Sequence, residues 1–213
     1  AALNAMAPGT IVVLHACCHN PTGVDPTPAQ WDEILATVRA RGLVPFLDLA
    51  YQGFGDGIDA DGIVVRKYAE GDTVVVAETF SKSFSLYGER VGACTIVASD
   101  KDEAARVLSQ VKRIVRANYS NPPTHGGQIV AMALTNPQLR EVWEIELGGM
   151  RERIRTMREA LVTKLAERAP GVDGVAYISG FNLLTSQSVS YNGTAFIRFT
   201  PWHERKSANL SPG

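Results

Sequence analysis

The stretch Thr73–Lys82, TVVVAETFSK, joins a short apolar, β-branched run to a lysine in a polar loop. The run Thr73–Ala77 predicts a buried strand. The strand ends of an α/β sheet are where such folds present their chemistry, and Lys82 follows this strand closely. Most lysines are simply exposed at the surface, so Lys82 alone does not predict a function. A functional prediction for Lys82 therefore needs other reactive residues at neighbouring strand ends.

A second apolar run supplies those neighbours. The run Leu43–Leu47 also predicts a buried strand; it is followed directly by Asp48, and Tyr51 comes three residues later. A lysine can hold pyridoxal phosphate covalently, and a carboxylate can pair with the protonated pyridine nitrogen of that cofactor. The lysine, carboxylate and phenol, each at a strand end, therefore predict a pyridoxal phosphate enzyme.

The composition excludes several other classes of protein. The 213 residues are 45% hydrophobic and 20% charged, with a net charge of −1, which is typical of a globular domain. This charge predicts neither nucleic-acid binding nor attachment to an anionic membrane. No apolar run approaches the roughly 20 residues that cross a bilayer. Three cysteines make a poor disulfide framework, so we expect a reducing, cytoplasmic location.

Strand and helix patterns alternate through the first half of the chain. This rhythm predicts an α/β fold with a mostly parallel sheet flanked by helices. Thr27-Pro28-Ala29-Gln30 predicts a helix start with a capping box, and Gly42 predicts its end. The predicted strands are Ile11–Cys18, Leu43–Leu47, Thr73–Ala77 and Val91–Ala98.

Helices dominate the second half of the chain. The last of them, Pro137–Arg168, is long enough to link two lobes, and the uncharged segment Gly174–Ile197 predicts two or three strands. We therefore expect residues 1–136 to form part of a large domain, and residues 137–213 an interdomain helix and a partial small domain. The predicted helices before the long one are Lys101–Asn118 and Gly126–Leu134.

Four motifs occur in order with a consistent spacing. They are HACCHNPTG at His15–Gly23, FLDLAYQGF at Phe46–Phe54, SKSFSLYGERVG at Ser81–Gly92 and RANYSNPP at Arg116–Pro123. Together they resemble the aspartate and aromatic-amino-acid aminotransferases, which are fold type I pyridoxal phosphate enzymes. The resemblance covers roughly residues 1 to 170. It implies that the fold is part of the large domain of such an enzyme.

The resemblance implies a role for each matched side chain. Lys82 corresponds to the lysine that binds the cofactor covalently and moves the substrate proton. Asp48 corresponds to the partner of the pyridine nitrogen, with His15 behind it. The other cofactor-binding positions are Asn20 and Tyr51 at the phenolic oxygen, and Arg90 and Thr79 at the phosphate, where Thr79 replaces the serine usual in the family.

The resemblance also implies substrates and a partner. The reaction would move an amino group between an L-amino acid and 2-oxoglutarate, in a homodimer. Arg116 corresponds to an arginine that reaches the neighbouring subunit's site and pairs with a substrate carboxylate. Arg198 lies in a strand-like segment. Its setting resembles that of the arginine that binds the substrate α-carboxylate in related enzymes. The motif around Lys82 resembles the aromatic branch slightly more than the aspartate branch.

A zinc site is an alternative use for the first motif. His15, Cys17, Cys18 and His19 are all potential ligands. If this segment continues the strand, adjacent cysteines point to opposite faces and cannot easily share a metal. We therefore expect no metal.

Two parts of the sequence depart from the resemblance. The family has an N-terminal stretch that completes the phosphate cradle and stacks on the pyridine ring, and this sequence does not contain it. The tail after about residue 171 also differs from the usual pattern. We therefore expect low activity from this chain. The alternative is a non-catalytic or truncated remnant that acts at most as a dimerising module.

Overall fold

The computed structural model describes residues 1–71, 73–168, 172–182 and 187–199. The chain divides into two compact units, one of residues 1–20 and 24–150 and one of residues 21–23 and 151–213. The division at residue 137 that the sequence suggested stays a prediction. In the part of the chain that the structure describes, no helix combines the length and apolar character needed to cross a bilayer.

The first unit is built on a four-stranded sheet with the order β1-β2-β3-β4. Strands β1, β2 and β3 are parallel, and β4 is antiparallel to β3. Parallel neighbours need a crossover, which helices supply between β1 and β2 and between β2 and β3. The prediction of a mostly parallel α/β sheet is confirmed. The strands are β1 (Ile11–His15), β2 (Val44–Leu49), β3 (Val74–Thr79) and β4 (Gly92–Val97).

Two strand ends differ from the sequence prediction. β1 ends at His15 and not at Cys18, because the carboxylate of Asp25 accepts hydrogen bonds from the backbone N–H groups of Cys18 (2.6 Å) and His19 (2.8 Å). These groups are therefore not available to a strand ladder. β2 continues to Leu49, so Asp48 lies within the strand and not after it. β3 likewise extends to Thr79 and brings Lys82 nearer to its end.

Helix α1 (Pro28–Arg41) packs against this sheet. It begins with the predicted capping box, in which Thr27 and Gln30 satisfy each other's backbone N–H groups, and Pro28 takes its first position. Gly42 ends it in the left-handed region at φ 61°. Its buried side chains are Trp31, Leu35 and Val38, and they join the core formed by Val12, Leu47, Val64, Tyr68, Val74 and Val76.

Two of the remaining helices, α2 (Ile58–Asp61) and α4 (Phe80–Ser83), were not predicted, and α4 forms in the expected polar loop that carries Lys82. α5 and α7 have the predicted bounds, whereas α6 begins two residues before the predicted Gly126. The division between the two units falls within α7. These helices are α2 (Ile58–Asp61), α3 (Ile63–Ala69), α4 (Phe80–Ser83), α5 (Lys101–Asn118), α6 (Thr124–Thr135) and α7 (Pro137–Arg168).

The second unit contains an antiparallel strand pair. β5 (Val172–Asn182) pairs with β6 (Gln187–Phe199) in a register that opposes Val172 to Phe199. Two strands therefore occupy the described part of the tail, within the predicted range of two or three.

Candidate active site

The carboxyl ends of β1 and β2 bring His15 beside Asp48. The two residues are register partners, and His15 Nε2 lies 3.9 Å from Asp48 Oδ2. The backbone N–H of Asn20 donates to His15 Nδ1 at 3.4 Å, so the proton of a neutral imidazole sits on Nε2 and faces Asp48. The Asp48 side chain is 38% exposed and remains open to a ligand.

Tyr51 is the centre of the candidate site. Lys82 Nζ lies 5.3 Å from the centroid of the Tyr51 ring, although the two residues are far apart in sequence. Burial raises the pKa of the Tyr51 phenol, and a hydrogen bond with Asn20 partly offsets this. The charges of Asp48 and Tyr87 raise this pKa further. The structure thus brings Asn20, Asp48, Tyr51 and Lys82 together, and the phenol is a neutral hydrogen-bond donor at neutral pH.

A single helical turn holds Lys82 in place. Thr79 caps α4 by accepting a hydrogen bond from the backbone N–H of Ser81 at 3.3 Å. The Thr79 hydroxyl also donates to the Ser81 hydroxyl at 3.1 Å. Ser81 and Ser83 are buried, whereas Lys82 between them is half-buried and directed towards Tyr51. Thr79 is thus the last residue of β3, and its hydroxyl stabilises the turn that carries Lys82.

Arg90 lies after the same turn and is exposed. Its backbone takes a left-handed conformation at φ 51°, which is uncommon for a residue with a side chain. The guanidinium Nη1 donates to the carbonyl oxygen of Tyr87 at 3.2 Å. The phosphate-binding role expected for Arg90 stays a prediction.

The two arginines predicted to bind substrate carboxylates lie on other elements. Arg116 lies at the exposed end of α5 and hydrogen-bonds the Ser120 hydroxyl. Arg198 is exposed on β6, opposite Gly174, and belongs to the other unit. Their roles stay predictions.

Sequence reasoning missed two supporting residues. Trp143 on α7 donates its indole N–H to the Ser83 carbonyl at 2.7 Å and stacks on Phe84 with ring centroids 4.5 Å apart. The sequence showed Trp143 only as part of an apolar seam. Asp25, which holds the loop at Cys18 and His19, gave no signal beyond its place shortly after the Asn-Pro-Thr-Gly turn.

The predicted strand does not continue through Cys18, so strand alternation does not separate the side chains of the two adjacent cysteines. Cys18 has a φ of 51°, and the chain turns there. The ligand atoms of Cys17, Cys18 and Asp61 all lie within 4.8 Å of one another. Asp61 was not among the ligands that the sequence suggested.

Comparison with known proteins places the chain among transaminases. Residues 1–192 match the family Aminotransferase class I and II. An aspartate aminotransferase of Pseudomonas aeruginosa is 60% identical over 165 residues, which are 77% of this chain and 42% of that protein. A tyrosine aminotransferase of Klebsiella pneumoniae is 52% identical over 162 residues, 76% of this chain and 41% of that protein.

Solved structures agree with this result. The crystal structure of an aromatic-amino-acid aminotransferase from Burkholderia pseudomallei, covalently bound to pyridoxal phosphate, is 62% identical with a TM-score of 0.77. The match covers 81% of this chain and 43% of that chain. This chain thus spans less than half the length of these relatives. By its sequence and its fold, the chain belongs to the aminotransferase class I and II family.

Proposed function

We propose that the protein containing this chain is a pyridoxal phosphate-dependent aminotransferase. It would move an amino group between an aromatic L-amino acid or L-aspartate and 2-oxoglutarate. The observation that carries the proposal is the position of Lys82 Nζ, 5.3 Å from the Tyr51 ring centroid and on the same sheet edge as Asp48. Family membership supports the reaction class.

The donor set fits pyridoxal phosphate. In this proposal the amine of Lys82 binds the cofactor covalently, and the carboxylate of Asp48 pairs with the ring nitrogen. Tyr51 and Asn20, already hydrogen-bonded to each other, would donate to the phenolic oxygen. Arg90 and Thr79 would bind the phosphate, for which a planar guanidinium offers two parallel hydrogen bonds.

The bound cofactor would supply an electron sink for the carbanion that forms at the substrate α-carbon. The protein's own groups divide the remaining work. Lys82 would carry the proton to and from the α-carbon as general acid and base. Asp48, with His15 behind it, would keep the ring nitrogen protonated. The raised pKa of Tyr51 supports its part as a neutral donor, since the phenol keeps its proton at neutral pH.

Substrate recognition and assembly are proposed from the same family membership. Arg116 would pair with the distal carboxylate of a dicarboxylic substrate across a homodimer, and Arg198 with the α-carboxylate. Relatives named for both substrate classes, aspartate and tyrosine, support the two substrates proposed here. A cytoplasmic location is part of the proposal. One relative, from Oryza sativa, is named as a cytoplasmic aspartate aminotransferase.

Covalent labelling tests the proposal directly. The purified protein is incubated with pyridoxal phosphate, reduced with borohydride and mapped by mass spectrometry of its peptides. We expect the label on Lys82, its loss in Lys82→Arg, and its retention in the matched variant Lys101→Arg. A label confined to Lys67, Lys101 or Lys112 would contradict the assignment.

The second candidate is the non-catalytic remnant that the sequence left open as the alternative. It predicts no label on Lys82 and no turnover. A coupled assay with aspartate or phenylalanine plus 2-oxoglutarate, run beside a full-length relative, separates the two candidates. Turnover within about tenfold of that relative, a difference of about 1.4 kcal/mol in barrier, would exclude the remnant.

A further inference from the structure

Two thiols and a buried carboxylate converge next to the candidate active site. The sulfur atoms of Cys17 and Cys18 and an oxygen of Asp61 lie within 4.8 Å of one another. Cys17 and Asp61 are 5% and 7% exposed, whereas Cys18 is half-buried. None of the three belongs to the proposed cofactor-binding set. The cluster therefore needs a separate explanation.

The backbone is bent so that adjacent thiols meet. Cys18 adopts φ 51°, a conformation that residues other than glycine take rarely and at a cost in free energy. The Asp25 carboxylate holds this bend through the N–H groups of Cys18 and His19. The two thiols are in hydrogen-bond contact as a result. An extended chain would direct them to opposite faces.

Backbone hydrogen bonds hold the Asp61 side chain in one orientation. Its two oxygens accept backbone hydrogen bonds from Gly53 (2.8 Å), Gly55 (3.0 Å) and Asp56 (2.9 Å). Gly55 allows this close approach, because a Cβ there would lie 2.6 Å from Oδ1 of Asp61. A carboxylate can accept at about four lone-pair positions. Three N–H donors thus fix its orientation and leave capacity for a further partner.

We propose that Cys17, Cys18 and Asp61 form a binding site for one thiophilic divalent cation, of the Zn²⁺ or Cd²⁺ kind. Soft thiolates select such ions, and three protein ligands leave the fourth position of a tetrahedral site to water. Zn–S bonds of about 2.3 Å put tetrahedral sulfur ligands about 3.8 Å apart. The cluster has to contract by about 1 Å at most, which side-chain rotation of Cys18 can supply.

The surroundings of the cluster determine how a cation would enter and what it would displace. The hydrogen bond that the Cys17 thiol donates to the Cys18 sulfur, together with burial, raises the pKa of Cys17, so the entering cation displaces protons. The half-buried Cys18 is the side from which it enters. The Cys18 thiol also lies 3.9 Å from the carbonyl oxygen of Tyr51, so the site adjoins the candidate active site without sharing its ligands.

Cadmium titration of the reduced protein tests this inference. Bound Cd²⁺ is measured by its thiolate charge-transfer absorption and by metal analysis, with Cd²⁺ alone as the probe. We expect one ion per chain, and affinity about a hundredfold or more lower in Cys17→Ser and in Cys18→Ser. The matched control is Cys94→Ser, because Cys94 is the exposed third cysteine and its loss should leave the binding unchanged.

A measurement on the unaltered protein covers Asp61, whose replacement could also disturb the loop at residues 53–56. The cadmium NMR shift reports the ligand types of the bound ion, and we expect two sulfur ligands and oxygen. Unchanged binding in either Cys17→Ser or Cys18→Ser, loss in Cys94→Ser, or a shift that indicates a single sulfur ligand would overturn the inference.

Discussion

The indole N–H of Trp143 donates a 2.7 Å hydrogen bond to the carbonyl oxygen of Ser83, the residue that follows Lys82. Ser83 is buried, and the Trp143 ring stacks on Phe84 at an interplanar angle of 12°. The turn that carries the proposed catalytic lysine is therefore fixed by a side chain sixty positions away in the sequence.

Replacing Trp143 with phenylalanine should loosen this turn. Trp143→Phe keeps a ring against Phe84 but leaves the buried Ser83 carbonyl without its donor, which costs about 1–3 kcal/mol. Urea denaturation should show this loss, and hydrogen exchange should show weaker protection at residues 84–85. The control is Trp31→Phe in the core, which should lower stability without a selective change at these amides. Unchanged hydrogen exchange at these amides in Trp143→Phe would mean that the turn is stable without the indole hydrogen bond.

A glycine on α6 sets the position of the segment around Arg90. A Cβ at Gly126 would lie 2.8 Å from Glu89 Cβ and 3.0 Å from Val91 Cγ1. Gly126→Ala should therefore cost about 1–3 kcal/mol through overpacking and should weaken cofactor binding if Arg90 holds the phosphate. Calorimetry and a cofactor titration measure the two effects.

The neighbouring glycine is the matched control for this change. A Cβ at Gly127 would meet nothing within 4 Å, so Gly127→Ala should gain about 0.5–1 kcal/mol of helix stability. Equal effects of the two variants would contradict the steric explanation. A Gly126→Ala protein with lower stability but normal cofactor affinity would separate α6 packing from the phosphate site.

Asp48 should be essential for turnover but not for folding. If its carboxylate pairs with the cofactor's ring nitrogen, Asp48→Asn should lower the rate roughly a hundredfold or more, since losing one partner of such a pair costs about 3–5 kcal/mol. Steady-state kinetics measure this change. The control is Asp32→Asn. Asp32 is exposed and pairs with Lys67, so its replacement should leave the rate unchanged. A loss of less than about tenfold in Asp48→Asn would place this residue outside the site.

Glu78 should make stability depend on pH. Burial raises the pKa of its carboxyl group, so the folded protein holds this proton more tightly than the unfolded chain does. Stability therefore falls as the pH rises from the ordinary glutamate range through the raised pKa of Glu78. Glu78→Gln should raise the melting temperature at neutral pH, with the gain vanishing near pH 4, about the ordinary pKa of glutamate.

Thermal unfolding at several pH values checks this prediction. The exposed Glu70 provides the control, because Glu70→Gln should shift the melting temperature little at any pH. A gain in Glu78→Gln that stays constant down to the ordinary glutamate range would show that the charge of Glu78 is not the cause.

Local patterns in the sequence were sufficient for most elements of the fold. Thr27, Pro28 and Gln30 predicted the helix start because capping is a contact between residues close in sequence. The apolar periodicity of α5 and α7 likewise predicted their bounds. The order of the motifs identified the family and nominated Lys82, Asp48 and Tyr51 as site residues.

Only the tertiary structure decided which distant groups meet. The bend at Cys18 depends on the Asp25 carboxylate, and the fixed turn at Ser83 depends on Trp143. The meeting of Asp61 with two adjacent thiols depends on both the bend and the loop at residues 53–56. Such contacts join residues that no local pattern relates, because a side chain's partner is set by how whole elements pack. The sequence alone determined the elements and the candidate chemistry, and packing decided which groups share a site.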